Sequence, residues 1–179
     1  MATPLLIAIG SNRRHGVHGR PEAVVAAAVA AMAAAGLQVV AVSRVRQTAP
    51  MGPGGRRFAN AAVAVETDLS LAAVLMLLQQ IQRDFGRTGG KRWGDRVLDL
   101  DIVGAGDVVV HQPGLQVPHP GVAVRRFVLD PLCDIAPLWR HPLLNATARQ
   151  LRARQMRPKA RLLRHGSIAQ SVERAPFKR

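Results

Sequence analysis

Asp99 and Asp101, one residue apart, close the stretch RWGDRVLDLD at residues 92–101, which runs on into Ile102. Leu98, Leu100 and Ile102 alternate with the two aspartates, so a strand here turns three apolar side chains to one face and two carboxylates to the other. Two residues along a strand rise about 6.6 Å, and like charges held that close repel. A divalent cation removes the repulsion. Mg²⁺ takes oxygen ligands, keeps several waters, and is held by one or two carboxylates plus substrate phosphates. Arg87, Lys91, Arg92 and Arg96 form a cationic run just upstream, suited to phosphate oxygens. The competing reading is an exposed polar face on an edge strand beside a solvated basic loop. Carboxylates and basic run together favour a metal and phosphate site.

A second group suits a flat heterocycle. Phe58 and Asn60 share one face of a strand. A buried phenylalanine is ordinary core, but an asparagine beside it needs partners, and an amide offers donor and acceptor together. Phe127 follows Arg125-Arg126, and two phenylalanines face to face clamp a ring. His119 lies between prolines with no metal partner at ligand spacing, so it reads first as a surface or structural histidine, and its best functional role is as a phosphate donor. Trp93 sits among Gly86, Gly89, Gly90 and Gly94 with no core to join, which suggests a loop closing over something. Trp139, beside Pro137, reads as packing. No P-loop, GxGxxG helix start or nucleophilic triad is present.

The elements that must position these residues follow from periodicity. Residues 5–9 read as a strand ending at Gly10-Ser11-Asn12. An alanine-rich helix spans residues 21–35, with Pro21 in its first turn and Gly36 as its stop. Residues 37–45 read as a second strand and residues 47–57 as a loop. Residues 58–66 form a third strand, and residues 71–85 a second helix capped by Asp68 or Ser70, with Leu75, Leu78 and Ile81 on its apolar face. The Asp-x-Asp strand completes βαββαβ, an α+β, ferredoxin-like order. Beyond it we expect a helical and irregular extension: a short strand at 108–110, a short helix at 122–126 and a basic helix at 146–156. Residues 1–160 form the domain, and 161–179 a basic, disordered tail.

Composition sets the class. The 179 residues are 48% apolar, enough for one globular domain. Cys133 is the one cysteine, which excludes an intrachain disulfide and points to a reducing compartment. The N-terminus lacks a signal-peptide pattern, and the longest apolar run, 23–35, is too short for a bilayer, so the cytoplasm is expected and a membrane partner is not. Net charge is +14; residues 140–179 hold eleven Lys/Arg against one acid, so the excess is mostly C-terminal and reads as a solvated tail.

With these residues in view, the chain resembles the 6-hydroxymethyl-7,8-dihydropterin pyrophosphokinase family of folate biosynthesis. The resemblance covers residues 6–141. It is carried by IAIGSN at 7–12, QTAPMG at 47–52, FANAAVAVET at 58–67, FGR at 85–87, RWGDRVLDLDI at 92–102, VPHP at 117–120 and RFVLDPLCDIAPLW at 126–139. It implies a ferredoxin-like fold and transfer of pyrophosphate from ATP to the pterin hydroxymethyl oxygen, releasing AMP. It further implies two Mg²⁺ ions on Asp99 and Asp101, with Arg92 and Arg96 contacting ATP phosphates and Arg87 a further catalytic arginine. Gln79, Ile102, His119 and Arg125, with Arg92 and Arg96, line the ATP site by this resemblance. Gly10, Thr48, Phe58, Asn60, Trp93 and Phe127 fall at pterin positions, the two phenylalanines sandwiching the ring. The implied partners are small molecules, ATP and the pterin, with no nucleic acid, and the implied state is a monomer.

The chain departs from the family pattern at four places. Gly89 stands where arginine is common, Asp95 where proline is usual, Phe58 at a tyrosine position and Ala49 at a proline position. These bear on ATP affinity more than on reaction type. The last fourteen residues, GSIAQSVERAPFKR, resemble translation through a tRNA gene. Two other classes share parts of the pattern. An RRM-like RNA-binding module has the same element order, but it stacks bases on aromatics in two central strands, and residues 5–9 hold none. A palm-like nucleotidyltransferase also uses paired aspartates but does not require Phe58, Asn60 and Phe127 together. An inactive relative is the third alternative, on account of Gly89 and Asp95.

Overall fold

A computed structural model describes residues 4–49, 56–86 and 96–156. In chain order, β1 (Leu5–Ser11) leads through α1 (Pro21–Ala34) to β2 (Gln38–Val42), β3 (Arg46–Thr48) and β4 (Phe58–Glu66). There follow α2 (Leu71–Asp84), β5 (Asp99–Ala105), the hairpin of β6 (Val110–Gln112) and β7 (Leu115–Val117), and a 3₁₀ turn at Val122–Val124. The chain then forms α3 (Arg126–Ile135), the small hairpin of β8 (Arg140–His141) and β9 (Ala146–Thr147), and α4 (Ala148–Met156). The main sheet is antiparallel in the order β2-β4-β1-β5, and β3 adds to β4 beyond the end of β2. The fold is α+β, and no helix among the described residues is long and apolar enough to cross a membrane.

Strand alternation divides the core into two layers. Leu5, Ile7, Ile9, Val63, Val65, Leu98, Leu100 and Ile102 pack under α1 and α2. α1 reaches the sheet through Val24, Ala28 and Met32, spaced by four, and ends at Gly36, whose φ of +91° suits a residue without a Cβ. There the Leu37 amide donates to the Met32 carbonyl at 3.1 Å, the longer bond of a Schellman closure. α2 starts where the Ser70 hydroxyl accepts from the Ala73 amide, and it buries Val74, Leu78 and Ile81. Leu75, expected on the buried stripe, is half-buried at its margin.

The opposite face carries Leu6, Ala64 and Val103 against Val128, Leu129, Leu132 and Leu151 of α3 and α4. The expected extension is therefore a second helical layer. α3 was not anticipated; the short helix expected at 122–126 is only the 3₁₀ turn before it. Pro131 lies inside α3, where a proline ordinarily interrupts a helix, and this masks the spacing of Val128, Leu129 and Leu132.

The expected strand at 37–45 is shorter, ending at Val42 as β2, and an unexpected strand, β3, follows it. Ser43 separates them. Its amide donates to the Ala62 carbonyl at 2.9 Å, and its hydroxyl accepts from the Ala62 amide at 2.8 Å. One side chain thus keeps the β4 ladder satisfied across the break, and the chain resumes as β3 inside the expected loop. The expected strand at 108–110 lies slightly later, as β6. The expected basic helix begins at Ala148, with Ala146 and Thr147 drawn into β9.

Candidate active site

The sheet face that meets α3 continues along the strands to a row of site residues. Gly10 pairs with Asn60 on one side and with Asp99 on the other, and Asn60 pairs in turn with Arg46 of β3. One step along, Ala8 pairs with Asp101. Asp99 and Asp101 are half-buried on this face while Leu98, Leu100 and Ile102 are buried on the other, as the alternation requires.

Gly10 is the floor between two groups. A Cβ there would lie 3.5 Å from Asn60 Oδ1, 3.9 Å from Asp99 Cβ and 4.0 Å from Phe58 Cδ1. The Asn60 side chain is 5% exposed, and its Nδ2 donates to Thr48 Oγ1 at 2.8 Å. That bond fixes the orientation of the amide and leaves Oδ1 over Gly10. Thr48 also pairs in register with Phe58, which is half-buried. Phe127 enters from α3, half-buried against the second core layer, with the Arg125 guanidinium carbon 5.9 Å from its ring centroid. Arg125 lies close across Gly121, where a Cβ would stand 2.6 Å from its Nε.

Arg96 bridges the carboxylates and β1. Its Nη1 donates to Asp99 Oδ2 at 2.7 Å. Its amide donates to Asn12 Oδ1 at 2.7 Å, and the Asn12 amide donates back to its carbonyl at 3.1 Å. Gln82, buried on α2, accepts from the Leu100 amide at 3.2 Å, between the two aspartates on the edge strand.

A cleft of about 320 Å³ opens beside Asp101. Asp101, Ile102 and His119 line it, with Leu75 from α2 and Gln112 and Gln116 from the β6–β7 hairpin. The His119 amide donates to the Val103 carbonyl at 3.0 Å, and His119 Nδ1 accepts from the Gly121 amide at 2.9 Å. In the neutral ring the proton is therefore on Nε2. Burial pushes this imidazole below the ordinary histidine value; Asp101 pulls it up, Arg125 pushes it down, and Asp99 pulls it up less.

The structure thus brings together Gly10, Thr48, Phe58, Asn60, Arg96 and Asp99 on one sheet end, and Asp101, Ile102 and His119 in the adjoining cleft. Gln79 is exposed one turn past Leu75 and does not line the cleft, nor does Arg125. Arg87, Arg92, Trp93, Gly89 and Asp95 lie outside the described residues, as does the tail from residue 157. Asn12, Gln82 and the hairpin glutamines are additions to the expected set. IAIGSN and the Pro113-Gly114 turn marked their neighbourhoods, but nothing local marked their partners.

Asp99 and Asp101 supply oxygen donors, and among the described residues no third His, Cys, Asp or Glu completes a cage. Such a two-carboxylate set fits a cation that arrives with phosphate oxygens as its other ligands.

Comparison with known proteins converges on one family. A model of the family described as 7,8-dihydro-6-hydroxymethylpterin-pyrophosphokinase (HPPK) matches residues 6–137. The 2-amino-4-hydroxy-6-hydroxymethyldihydropteridine pyrophosphokinase of Pseudomonas aeruginosa is 42% identical over 106 residues, covering 59% of this chain and 65% of that protein, just under two thirds. The protein of the same name from Methylorubrum extorquens is 38% identical over 137 residues, 75% of this chain and 84% of its own length. The crystal structure of Plasmodium falciparum HPPK-DHPS superimposes with a TM-score of 0.67 at 13% identity, over 86% of this chain and 45% of that one, which shows a shared fold.

Proposed function

The chain belongs to the 7,8-dihydro-6-hydroxymethylpterin-pyrophosphokinase family, and from that premise we propose that it moves the β,γ-pyrophosphoryl group of ATP to the hydroxymethyl oxygen of 6-hydroxymethyl-7,8-dihydropterin. The products are the pterin diphosphate and AMP, and the step belongs to folate biosynthesis. The sheet order β2-β4-β1-β5, with β3 continuing the β2 edge, supports a ferredoxin-like assignment for residues 1–160.

The observation that carries the reading is the row Asp99–Gly10–Asn60. It sets a carboxylate pair suited to phosphate-bound cations across one intervening strand, β1, from an amide and a phenylalanine suited to a heterocycle. A side chain at residue 10 would fill the junction. Phosphoryl-type transfer asks the protein for alignment and charge neutralisation more than for covalent chemistry. Here Asp99 and Asp101 hold Mg²⁺, two ions in this reading, which when bound neutralise charge on the ATP phosphates. Arg96 holds Asp99 in place and, with Arg87 and Arg92, meets phosphate oxygens. Neutral His119 donates from Nε2, with Ile102 beside it in the ATP cleft; Gln79 and Arg125 are assigned to ATP by the resemblance alone. Asn60, oriented by Thr48, reads the pterin edge, and Phe58 and Phe127 hold its faces, with Trp93 adding to that site. The substrate hydroxyl is the nucleophile.

Calorimetry on Phe58→Ala tests the division into two subsites. Pterin binding should weaken by roughly 1–3 kcal/mol, the scale of base–aromatic stacking, while binding of Mg²⁺ with an ATP analogue changes far less. Equal losses for both ligands would contradict it.

A further inference from the structure

The side chains of Arg46 and Asp134 are assigned to neither proposed subsite, yet they join the elements that form two walls of one of them. Arg46 Nη2 donates to Asp134 Oδ1 at 2.7 Å and to Oδ2 at 3.1 Å, linking β3 to α3. On the β3 side, Arg46 pairs in register with Asn60, and Thr48, two residues on, accepts from the Asn60 amide. On the α3 side, Asp134 stands seven residues beyond Phe127. Seven residues are nearly two full turns, so both side chains leave the same side of the helix.

The rest of the contact between α3 and the sheet is apolar and non-directional. Val128, Leu129 and Leu132 rest on a face that includes Ala8, Ala41 and Ala64, whose short side chains offer little to stop a helix from sliding or rolling. A charge-assisted, two-oxygen contact is directional. Asp134 also lies in the last turn of α3, at the negative end of the helix dipole, where a carboxylate is unfavourable unless a cation answers it. Arg46 Nε is buried with no hydrogen-bond partner among the described residues, while the side chain as a whole is 40% exposed, so one edge of the guanidinium faces the layer and the rest meets solvent.

We infer that Arg46 and Asp134 are a positioning pair that sets the separation of Phe127 from the Phe58–Asn60 wall, and through it the affinity for the pterin. The inference rests on the pterin reading of that face. Neither residue is catalytic, and neither contacts the nucleotide cleft.

The test uses Arg46→Gln, Asp134→Asn and the charge swap Arg46→Asp with Asp134→Arg in the full chain. Binding of 6-hydroxymethyl-7,8-dihydropterin is followed by its fluorescence with Mg²⁺ and a non-hydrolysable ATP analogue present, and the analogue's own affinity and the melting temperature are measured alongside. Each single variant should weaken pterin binding about three- to fivefold, the upper part of the range open to a partly exposed ion pair. Analogue affinity should stay within about twofold, and the swap should restore most of the lost pterin affinity. Unchanged pterin binding in both single variants overturns the inference. So does a loss shared equally by pterin and analogue, or a loss that the swap leaves in place. A folded wild-type protein that binds the analogue but no pterin removes the pterin reading itself, and the pair's role with it.

Discussion

Asp99 and Asp101 share a face of β5 on which they contribute no apolar packing, so removing either carboxylate leaves the Leu98, Leu100 and Ile102 side intact. The Arg96–Asp99 ion pair is partly exposed, with side chains at 32% and 23%, and pairs of that kind contribute about 1 kcal/mol or less to stability. Asp99→Ala or Asp101→Ala should therefore keep the wild-type melting profile while turnover falls ~10²-fold or more, the scale of a lost transition-state contact. Wild-type turnover with unchanged Mg²⁺ dependence in either variant would contradict the metal assignment. The paired aspartates were legible because the two-residue period of a strand is strict. Asn12 and Gln82 were not. Asn12 holds the Arg96 amide across 84 residues, and Gln82 meets the Leu100 amide from another element. A polar residue within a helix's buried stripe is visible in sequence; the backbone group it satisfies is not.

At the scale of elements, β5 illustrates how a strand serves two layers. A bulge between its pairings with Leu6 and Ile7 changes the register there. Gly104 then lies beneath Trp139, where a Cβ would come 2.9 Å from Cε2, and the indole is fixed by donating from Nε1 to the Gly106 carbonyl at 2.9 Å. Gly104→Ala should lower stability by about 1–3 kcal/mol through overpacking, measured by urea denaturation; an unchanged midpoint would show that Trp139 gives way freely. The expectation that Trp139 is a packing residue agrees with this placement. α1, β4 and α2 were readable within a residue at each end because composition and boundary residues agree: alanine between Pro21 and Gly36, an Ala/Val run in β4, and Ser70 ahead of the apolar stripe of α2. The strand expected at 37–45 ran past the end of β2 because the break at Ser43 is satisfied by a hydroxyl bonding to β4, a partner that local pattern does not reveal, and β3 was hidden at the head of a Pro- and Gly-rich stretch. Pro131 concealed α3. The start of α4 was available and missed: Thr147 and Gln150 form a reciprocal capping box, the Thr147 amide to Gln150 Oε1 at 2.9 Å and the Gln150 amide to Thr147 Oγ1 at 3.2 Å.

The molecule as a whole is a sheet covered by helices on both faces, with the proposed chemistry where one covering gives way to half-buried polar side chains. Its acid response is expected to follow from buried His141 and half-buried His119. His141 is 6% exposed, its Nδ1 has no partner among the described residues, and burial pushes it below the ordinary histidine value. Below about pH 6.5 the unfolded chain takes up a proton that the fold resists. The stability of neutral His141 is thus fully present above that pH and is lost as pH falls towards the lowered folded value. His119 shifts in the same direction. Denaturation midpoints measured between pH 7.5 and 5.5 should fall with pH, and less so in His141→Phe; identical slopes would contradict the assignment. The central claim is tested most directly by the nucleotide product. Incubated with ATP, Mg²⁺ and 6-hydroxymethyl-7,8-dihydropterin, the protein should release AMP in step with pterin diphosphate, without ADP and with strict dependence on a divalent ion. Release of ADP would mark an ordinary kinase and release of pyrophosphate a nucleotidyltransferase; either result, or no AMP from a folded sample that binds both substrates, would contradict the account.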